Sequence, residues 1–266
     1  MIRVRDDADR WVELPNAPVR IVSLVPSLTE TLFALGCGEH VIGVTRYCTE
    51  PAAEVATRVQ VGGTKNPDCD VIRRLAPDLV VVNAEENRRE DFQRLESLGL
   101  RLFVTFPTTL DASVDLLRRL GEVTGFSERG RALAEQLASA VADVRASVRA
   151  HRRVFCPIWK NPWMTIAAGT YADDVLWTCG GANIFHDQLA PYPTIALDEV
   201  VARKPEVILF PDEPYRFSPR DWRDCTVLDE TAAARGHRVH FVDGKTLSWY
   251  GPRAAEGVRA IADLLR

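Results

Sequence analysis

The sequence predicts an α/β protein of two lobes, each built on a mainly parallel sheet, joined by one long rigid α-helix. Three observations predict it. Strand-like and helix-like segments take turns along the chain, a segment of the first half recurs in the second, and an uninterrupted helical stripe lies between the halves. The chain of 266 residues, 46% hydrophobic and 26% charged, is long enough for two such lobes and apolar enough to fill their cores.

The elements follow in order. RIVSLV (20–25) reads as a strand, and PSLTETLFALG as the helix after it, with Ser27 and Glu30 in capping-box spacing and Gly36 at the stop. HVIGVT (40–45) is a second strand. NPDCDVIRRLAPDLVVV gives a short helix opened by Asn66 and Pro67, then a strand after Pro77. EDFQRLESLG is a helix and LRLFVTF the next strand. Such alternation builds βα units over a sheet covered on both faces.

The repeat is internal and in register. Asp70-Val-Ile-Arg-Arg-Leu-Ala-Pro-Asp-Leu-Val-Val-Val runs in step with Asp198-Glu-Val-Val-Ala-Arg-Lys-Pro-Glu-Val-Ile-Leu-Phe, a constant spacing of 128 positions from Asp70 to Asp198. Carried forward, that spacing sets Glu85 on Glu213 and Arg88 on Arg216. LFALGCG (32–38) and VLWTCGG (175–181) echo each other more weakly. Between the halves, Leu133, Leu137, Val141, Val144 and Val148 recur at helical spacing. A helix from Ser127 to Arg149 would span roughly 34 Å at 1.5 Å per residue. The expected division is therefore an N-terminal lobe over 1–109, connecting helices over 110–152 and a C-terminal lobe over 153–266.

Composition excludes several functions. A net charge of −4, with no Lys/Arg-dense run, gives no purchase for nucleic acid. No apolar stretch reaches the roughly 18 residues of a membrane span. Six cysteines without a CxxC pair suit neither zinc nor a disulfide framework, and five histidines fall in no metal-spaced pair. There is no nucleophile elbow, GxGxxG or phosphate loop, so no catalytic and no metal-ligating residue is assigned. The charged N-terminus lacks the apolar core of a secretory signal. With the scattered thiols, that predicts a cytoplasmic protein; the alternative is a periplasmic or extracytoplasmic one whose leader has been removed.

Candidate binding residues cluster after strands. VVVNAEENRR carries Glu85, Glu86, Asn87 and Arg88 off one strand end, and ILFPDEPYR carries Asp212, Glu213, Tyr215 and Arg216 off its counterpart. In open α/β sheets ligands bind outside the carboxyl ends of the strands, so facing lobes would line a cleft with both clusters. The competing reading is mutual neutralisation of surface charges. Aromatic residues gather in similar places: Tyr47, then Trp159, Trp163 and Tyr171, then Trp249 and Tyr250 with Arg253 behind them. Rings beside glycine and proline on loops suit the walls of a pocket for a large flat ligand, or else plug an interface.

RIVSLVPSLTETLFALGCGEHVIGVTRYCTEP and GGTKNPDCDVIRRLAPDLVVV resemble the N-terminal lobe of the cobalamin- and ferric-siderophore-binding proteins of ABC importers. These are the helical-backbone (class III) substrate-binding proteins, and the resemblance, nearest to the cobalamin binders, covers almost the whole chain. RDDADRWVELPNAPVRIVSL resembles the hairpin that opens mature members. The resemblance implies two Rossmann-like lobes joined by one long helix. It implies non-enzymatic binding of a metal chelate, a cobalamin-like corrinoid or a ferric siderophore or haem, with no covalent cofactor. An ABC permease is the implied partner, and a monomer is expected. Tyr47 matches a cleft tyrosine of the cobalamin binders, and Trp249-Tyr250 falls in a segment that supplies a late cleft contact. Asn83 stands where those proteins place a cleft tryptophan, and Arg89 where they place a glutamate that docks on the importer, with Glu90 beside it. Against this stands an intracellular handling protein or an enzyme that reuses the fold.

Overall fold

The computed structural model describes residues 1–266. The chain divides into two compact units. The first holds Met1–Pro107, Asp111–Gln136 and Tyr250–Pro252; the second holds Thr108–Leu110, Leu137–Trp249 and Arg253–Arg266.

The first unit opens with an antiparallel hairpin, β1 (Ile2–Arg5) and β2 (Trp11–Leu14). Then follow β3 (Ile21–Ser23), α1 (Pro26–Leu35), β4 (Val41–Val44), α2 (Ala52–Val55) and β5 (Val59–Gln60). A small antiparallel pair, β6 (Gly62–Gly63) and β7 (Asn66–Pro67), leads into α3 (Cys69–Arg74), β8 (Leu79–Asn83), α4 (Arg89–Ser97) and β9 (Leu102–Thr105). The sheet runs β5-β4-β3-β8-β9 and every pairing in it is parallel. β8, LVVVN, is buried at all five positions, as a strand covered on both faces must be. Val22, Leu24, Ile72, Val80, Val82 and Val104 form a core within it, each side chain adding about 1.5–3 kcal/mol on full burial.

The outer margin of β9 is closed by the hairpin. Val104 N–H donates to Asp6 Oδ2 at 3.3 Å, Val104 O accepts from Asp7 N–H at 2.9 Å, and Phe106 N–H donates to Asp7 Oδ2 at 2.6 Å. The Asp6 carboxylate also holds Arg10, and Arg119 holds Asp7 at 2.7 Å. An edge strand left bare would be a template for another chain; here the Val104 N–H and C=O and the Phe106 N–H are taken.

Two helices follow, α5 (Leu110–Thr124) and α6 (Ser127–Ser147). α6 ends two residues short of the expected helix, and Leu133, Leu137, Val141 and Val144 are buried along its stripe. Gly121 and Gly130 let α5 and α6 touch backbone to backbone: a Cβ on Gly130 would lie 2.7 Å from Leu117 O and 2.8 Å from the Gly121 Cα.

The second unit contains β10 (Arg152–Phe155), a two-stranded antiparallel β11 (Pro157–Trp159) and β12 (Met164–Thr165), α7 (Tyr171–Thr178), β13 (Gly181–Asn183), α8 (Leu197–Ala202) and β14 (Val207–Pro211). α9 (Pro219–Arg223), α10 (Ala232–Arg235), β15 (Val239–Val242), α11 (Lys245–Ser248) and α12 (Ala254–Leu265) complete it. Its sheet runs β13-β10-β14-β15, again all parallel. Phe155, Phe185, Val200, Ile208, Phe210 and Leu228 form its core.

The repeat is literal. Each of α3 and β8, shifted by the spacing that takes Asp70 to Asp198, falls on α8 and β14 residue for residue. Even the strained position is kept: Ala76 (φ 46°) and Lys204 (φ 51°) both end their helices in the left-handed region. Two helix starts differ from expectation. α1 begins at Pro26 with Val25 as an unassisted cap, so Ser27 is buried inside the first turn and no capping box forms. α3 is capped not by Asn66 but by Asp68, whose carboxylate accepts from the Asp70 and Val71 N–H groups.

Candidate functional site

The carboxyl end of β8 carries a turn held by two asparagines. Asn83 Oδ1 accepts the Glu85 and Glu86 N–H groups at 2.8 and 3.0 Å, and its amide donates to Thr105 Oγ1 at 3.2 Å. Asn87 Oδ1 accepts the Asn83 N–H at 2.9 Å, while its amide donates to Thr64 O at 2.8 Å and Leu24 O at 3.3 Å. Both side chains are buried. Lys65 Nζ reaches the Glu85 carbonyl at 2.7 Å. Asn87, expected to meet a ligand, therefore spends its polar atoms on the Asn83 N–H and on the Thr64 and Leu24 carbonyls. Asn83, where a ring is absent, is the hub of that turn.

Around it the first unit places the other expected residues. Tyr47 follows β4 and is 56% exposed, with the Arg46 guanidinium 5.4 Å from its ring centre. Glu85 and Arg88 are exposed and Glu86 half-buried. Tyr250 is buried and its hydroxyl donates to Glu86 Oε1 at 3.0 Å. Burial, and then the Glu86 charge, push the Tyr250 phenol well above its ordinary range.

The carboxyl end of β14 is held differently. Asp212 Oδ1 accepts the Gly244 N–H at 2.8 Å, and Glu213 Oε1 accepts the Ser248 hydroxyl at 3.1 Å. Burial raises the Glu213 carboxyl above its usual range. Farther along, Ser218 and Asp221 form a capping box at the start of α9. Asp221 Oδ1 also takes Lys160 Nζ at 2.9 Å and the Tyr215 hydroxyl at 3.2 Å. Desolvation pushes Asp221 up, but Lys160 and Ser218 outweigh it and bring the carboxyl down to about 2. The hydrogen bond to Asp221 raises Lys160 in turn.

Aromatic rings pack along this tip. Trp159, 42% exposed, meets Tyr215 edge-on at 5.7 Å between centroids. Tyr215 leans on Phe217 at 4.6 Å, and Trp163 stacks on Phe217 at 5.7 Å with 12° between planes. Trp163 is half-buried against the core, whereas Arg216 is exposed. Trp249, expected as an open stacking wall, is only 7% exposed. Its ring lies 5.0 Å from Lys245 Nζ and 5.5 Å from the Arg253 guanidinium carbon. Tyr171 begins α7 and is buried, so like Trp249 and Tyr250 it offers no open face. The reason is common to the three: a helix end or short turn folds each ring inward.

Of the expected residues, Glu85, Glu86, Asn87, Arg88 and Tyr250 come together in the first unit, and Asp212, Glu213, Trp249 and Arg253 in the second. Trp159, Trp163 and Tyr215 form a separate aromatic group within that second unit, and Tyr171 stands apart on α7. Sequence reasoning missed Asn83 as a brace, together with Lys65, Ser248 and the Lys160–Asp221 pair. Only the Ser-x-x-Asp spacing at 218–221 gave any signal for the last.

No group of three or more His, Cys, Asp or Glu side chains is arranged to hold a metal ion. No helix is long and apolar enough to cross a membrane.

Comparison with known proteins places this geometry. The family model described as periplasmic binding protein matches residues 21–243. The vitamin B12-binding protein of Vibrio cholerae is 26% identical over 254 residues, 95% of this chain and 91% of that protein. That of Yersinia pestis is 30% identical over 197 residues, 73% of this chain and 70% of that protein. Among solved structures, the periplasmic vitamin B12 binding protein of Vibrio cholerae superposes with a TM-score of 0.82 at 26% identity, over 94% of this chain and 98% of that one. The periplasmic heme-binding protein of Roseiflexus sp. RS-1 does so with 0.79 at 25% identity, over 93% and 99%.

These findings overturn the expectation of a cytoplasmic protein, because the matching family and both of those solved relatives are periplasmic. The thiols that suggested a reducing compartment have another explanation. All six cysteines are buried. Burial lifts Cys37 to about 11 and Cys156 and Cys179 to about 12, which keeps them protonated and inert in any compartment.

Proposed function

The chain belongs to the periplasmic binding protein family, and from that premise we propose that it is an extracytoplasmic receptor for a metal-bearing tetrapyrrole, cobalamin-like or haem-like, that it hands to an ABC permease. The near full-length likeness to the vitamin B12-binding protein of Vibrio cholerae carries the reading. The chain is a binding protein, as its relatives are, and the enzyme alternative has no observation in its favour.

The proposal assigns ligand contacts to the residues that follow the sheets. From the first unit these are Tyr47, after β4, and Glu85 and Arg88, on a turn after β8 whose backbone is fixed before any ligand arrives. In the second unit, taken by itself, the candidates are Trp159, Tyr215, Arg216 and Arg253, with Trp163 and Trp249 more buried. Preorganised loops spend little of the binding energy on ordering themselves. Tyr47 supplies the exposed aromatic face that position 83, as asparagine, does not.

The test is direct titration with cobalamin, haem and ferric siderophores, followed by absorbance and melting temperature. A ligand at 100 times its dissociation constant should add about 2.7 kcal/mol of stability. Absence of a shift with every chelate would remove the reading.

A further inference from the structure

Away from the strand ends, the second unit holds a cavity of about 360 Å³ lined by Arg145, Val148, His151, Asp174, Trp177 and Thr178. All six residues belong to that unit. Arg145 and Val148 lie at the end of α6 and just past it, and His151 immediately precedes β10. Asp174, Trp177 and Thr178 are three and four residues apart on α7 and so share one of its faces. The groove therefore sits where β10 begins, whereas Trp159, Tyr215 and Arg216 come after the ends of β10 and β14.

α7 buries Tyr171, Val175 and Leu176 yet leaves Trp177 58% exposed. His151 stacks on the indole at 4.0 Å between centroids with 22° between planes. Its Nε2 lies 3.1 Å from the Trp177 carbonyl oxygen. A carbonyl only accepts, so Nε2 carries the hydrogen and the neutral imidazole keeps Nδ1 as an acceptor. Stack and hydrogen bond together fix the indole, with one face covered and the other in water. Asp174 is fixed as well, because its Oδ2 accepts the Leu110 N–H at 2.7 Å. This lining suits one kind of ligand. A guanidinium and a carboxylate in one groove favour neither a cation nor an anion, and a wholly apolar molecule would strip water from both without replacing it. A pyranose ring carries C–H groups on its faces and hydroxyls around its rim. The negative face of the indole receives the first, and the planar donors and acceptors of Arg145, Asp174 and His151 receive the second.

We propose that this groove is a second binding site, for a saccharide ring stacked on Trp177 with its hydroxyls on Arg145, Asp174 and His151. A free sugar and a unit of a polysaccharide share that chemistry. The inference stands apart from the tetrapyrrole reading, since it uses none of the residues assigned to that ligand.

The experiment titrates the full chain with glucose, N-acetylglucosamine, cellotetraose and chitotetraose. The readouts are the Trp177 indole N–H signal by NMR, identified by its loss in Trp177→Phe, and calorimetry. At least one probe should shift that signal saturably, with a dissociation constant on the order of 1 mM. Tighter binding of a tetramer than of its monomer assigns the groove to a polysaccharide; equal binding assigns it to a free sugar. Trp177→Ala should weaken the calorimetric affinity by about tenfold or more, and Trp177→Tyr, which keeps a ring, should retain part of it. The melting temperature should hold in both variants, because the replaced ring is exposed. No saturable shift with any of the four probes overturns the inference, as does an affinity undiminished in Trp177→Ala. Binding of ferric protoporphyrin IX or cobalamin should be the same in parent and Trp177→Ala; its loss in the variant would make the groove part of the receptor site and overturn the claim of a second one.

Discussion

The ends of β8 and β14 are copies in sequence plan and differ in what holds them. The first is fastened mainly by two buried amides, Asn83 and Asn87, which satisfy backbone groups and carry no charge, with the Lys65 ammonium on the Glu85 carbonyl outside them. The second is fastened by carboxylates, an ammonium and a run of stacked rings. Duplication preserved the strand and the helix before it, because those are set by core packing. The turn after the strand was free to find another solution. An amide-held turn keeps its geometry at any pH that leaves the protein folded, whereas a charge-held turn is open to titration.

The comparison can be broken most forcefully at Asn87. Asn87→Ala removes three hydrogen bonds and strands buried backbone groups, so chemical denaturation should show a loss of about 3 kcal/mol. The deficit should be flat with pH. A loss that varies with pH would show that the first tip is not neutral.

The second tip should respond to acid. Asp221 lies below its unfolded value, so its stabilisation is present above the ordinary carboxylate range and lost as pH falls from about 4 towards about 2. Asp221→Asn should therefore be destabilised at neutral pH and approach the parent at the acid end of that window. Thermal melts across the range measure it, and a constant difference would refute the assignment.

Glu213 sharpens the contrast with the smallest effect. Its folded value is raised, so any stability it confers is full below the unfolded value and declines as pH rises through the folded one. Glu213→Gln keeps an acceptor for Ser248 and removes the buried charge. Melting at neutral pH should stay level or rise slightly, and the difference should vanish in acid. A clear loss at neutral pH would mean that the charge itself holds the tip.

How much of this was legible beforehand follows the same division. Asp70–Val82 and Asp198–Phe210 announced their helices and strands because apolar periodicity and proline placement are local properties. Nothing in their spacing marked the matched residues Ala76 and Lys204 as left-handed; the structure alone shows it. The candidate site was less readable. Its residues were named on the loops that follow the strands, but whether Trp249 faces outward or lies under Lys245 and Arg253 depends on the packing of α11 and α12. Lys160 finds Asp221 across sixty-one positions, and no local pattern carries a contact of that range. Ser27 shows the opposite failure. The capping spacing was present, yet the helix starts at Pro26 with Val25 as its cap, two positions earlier than that spacing implies, and the serine went inside.

The opening hairpin has a practical consequence. The family match begins at residue 21, and a chain trimmed to that boundary would keep every strand of the first sheet while discarding Asp6 and Asp7. What remains is a bare rim of amides and carbonyls along β9, ready to recruit the same rim of a sister molecule. The twenty residues that precede the conserved architecture thus act as its insulation.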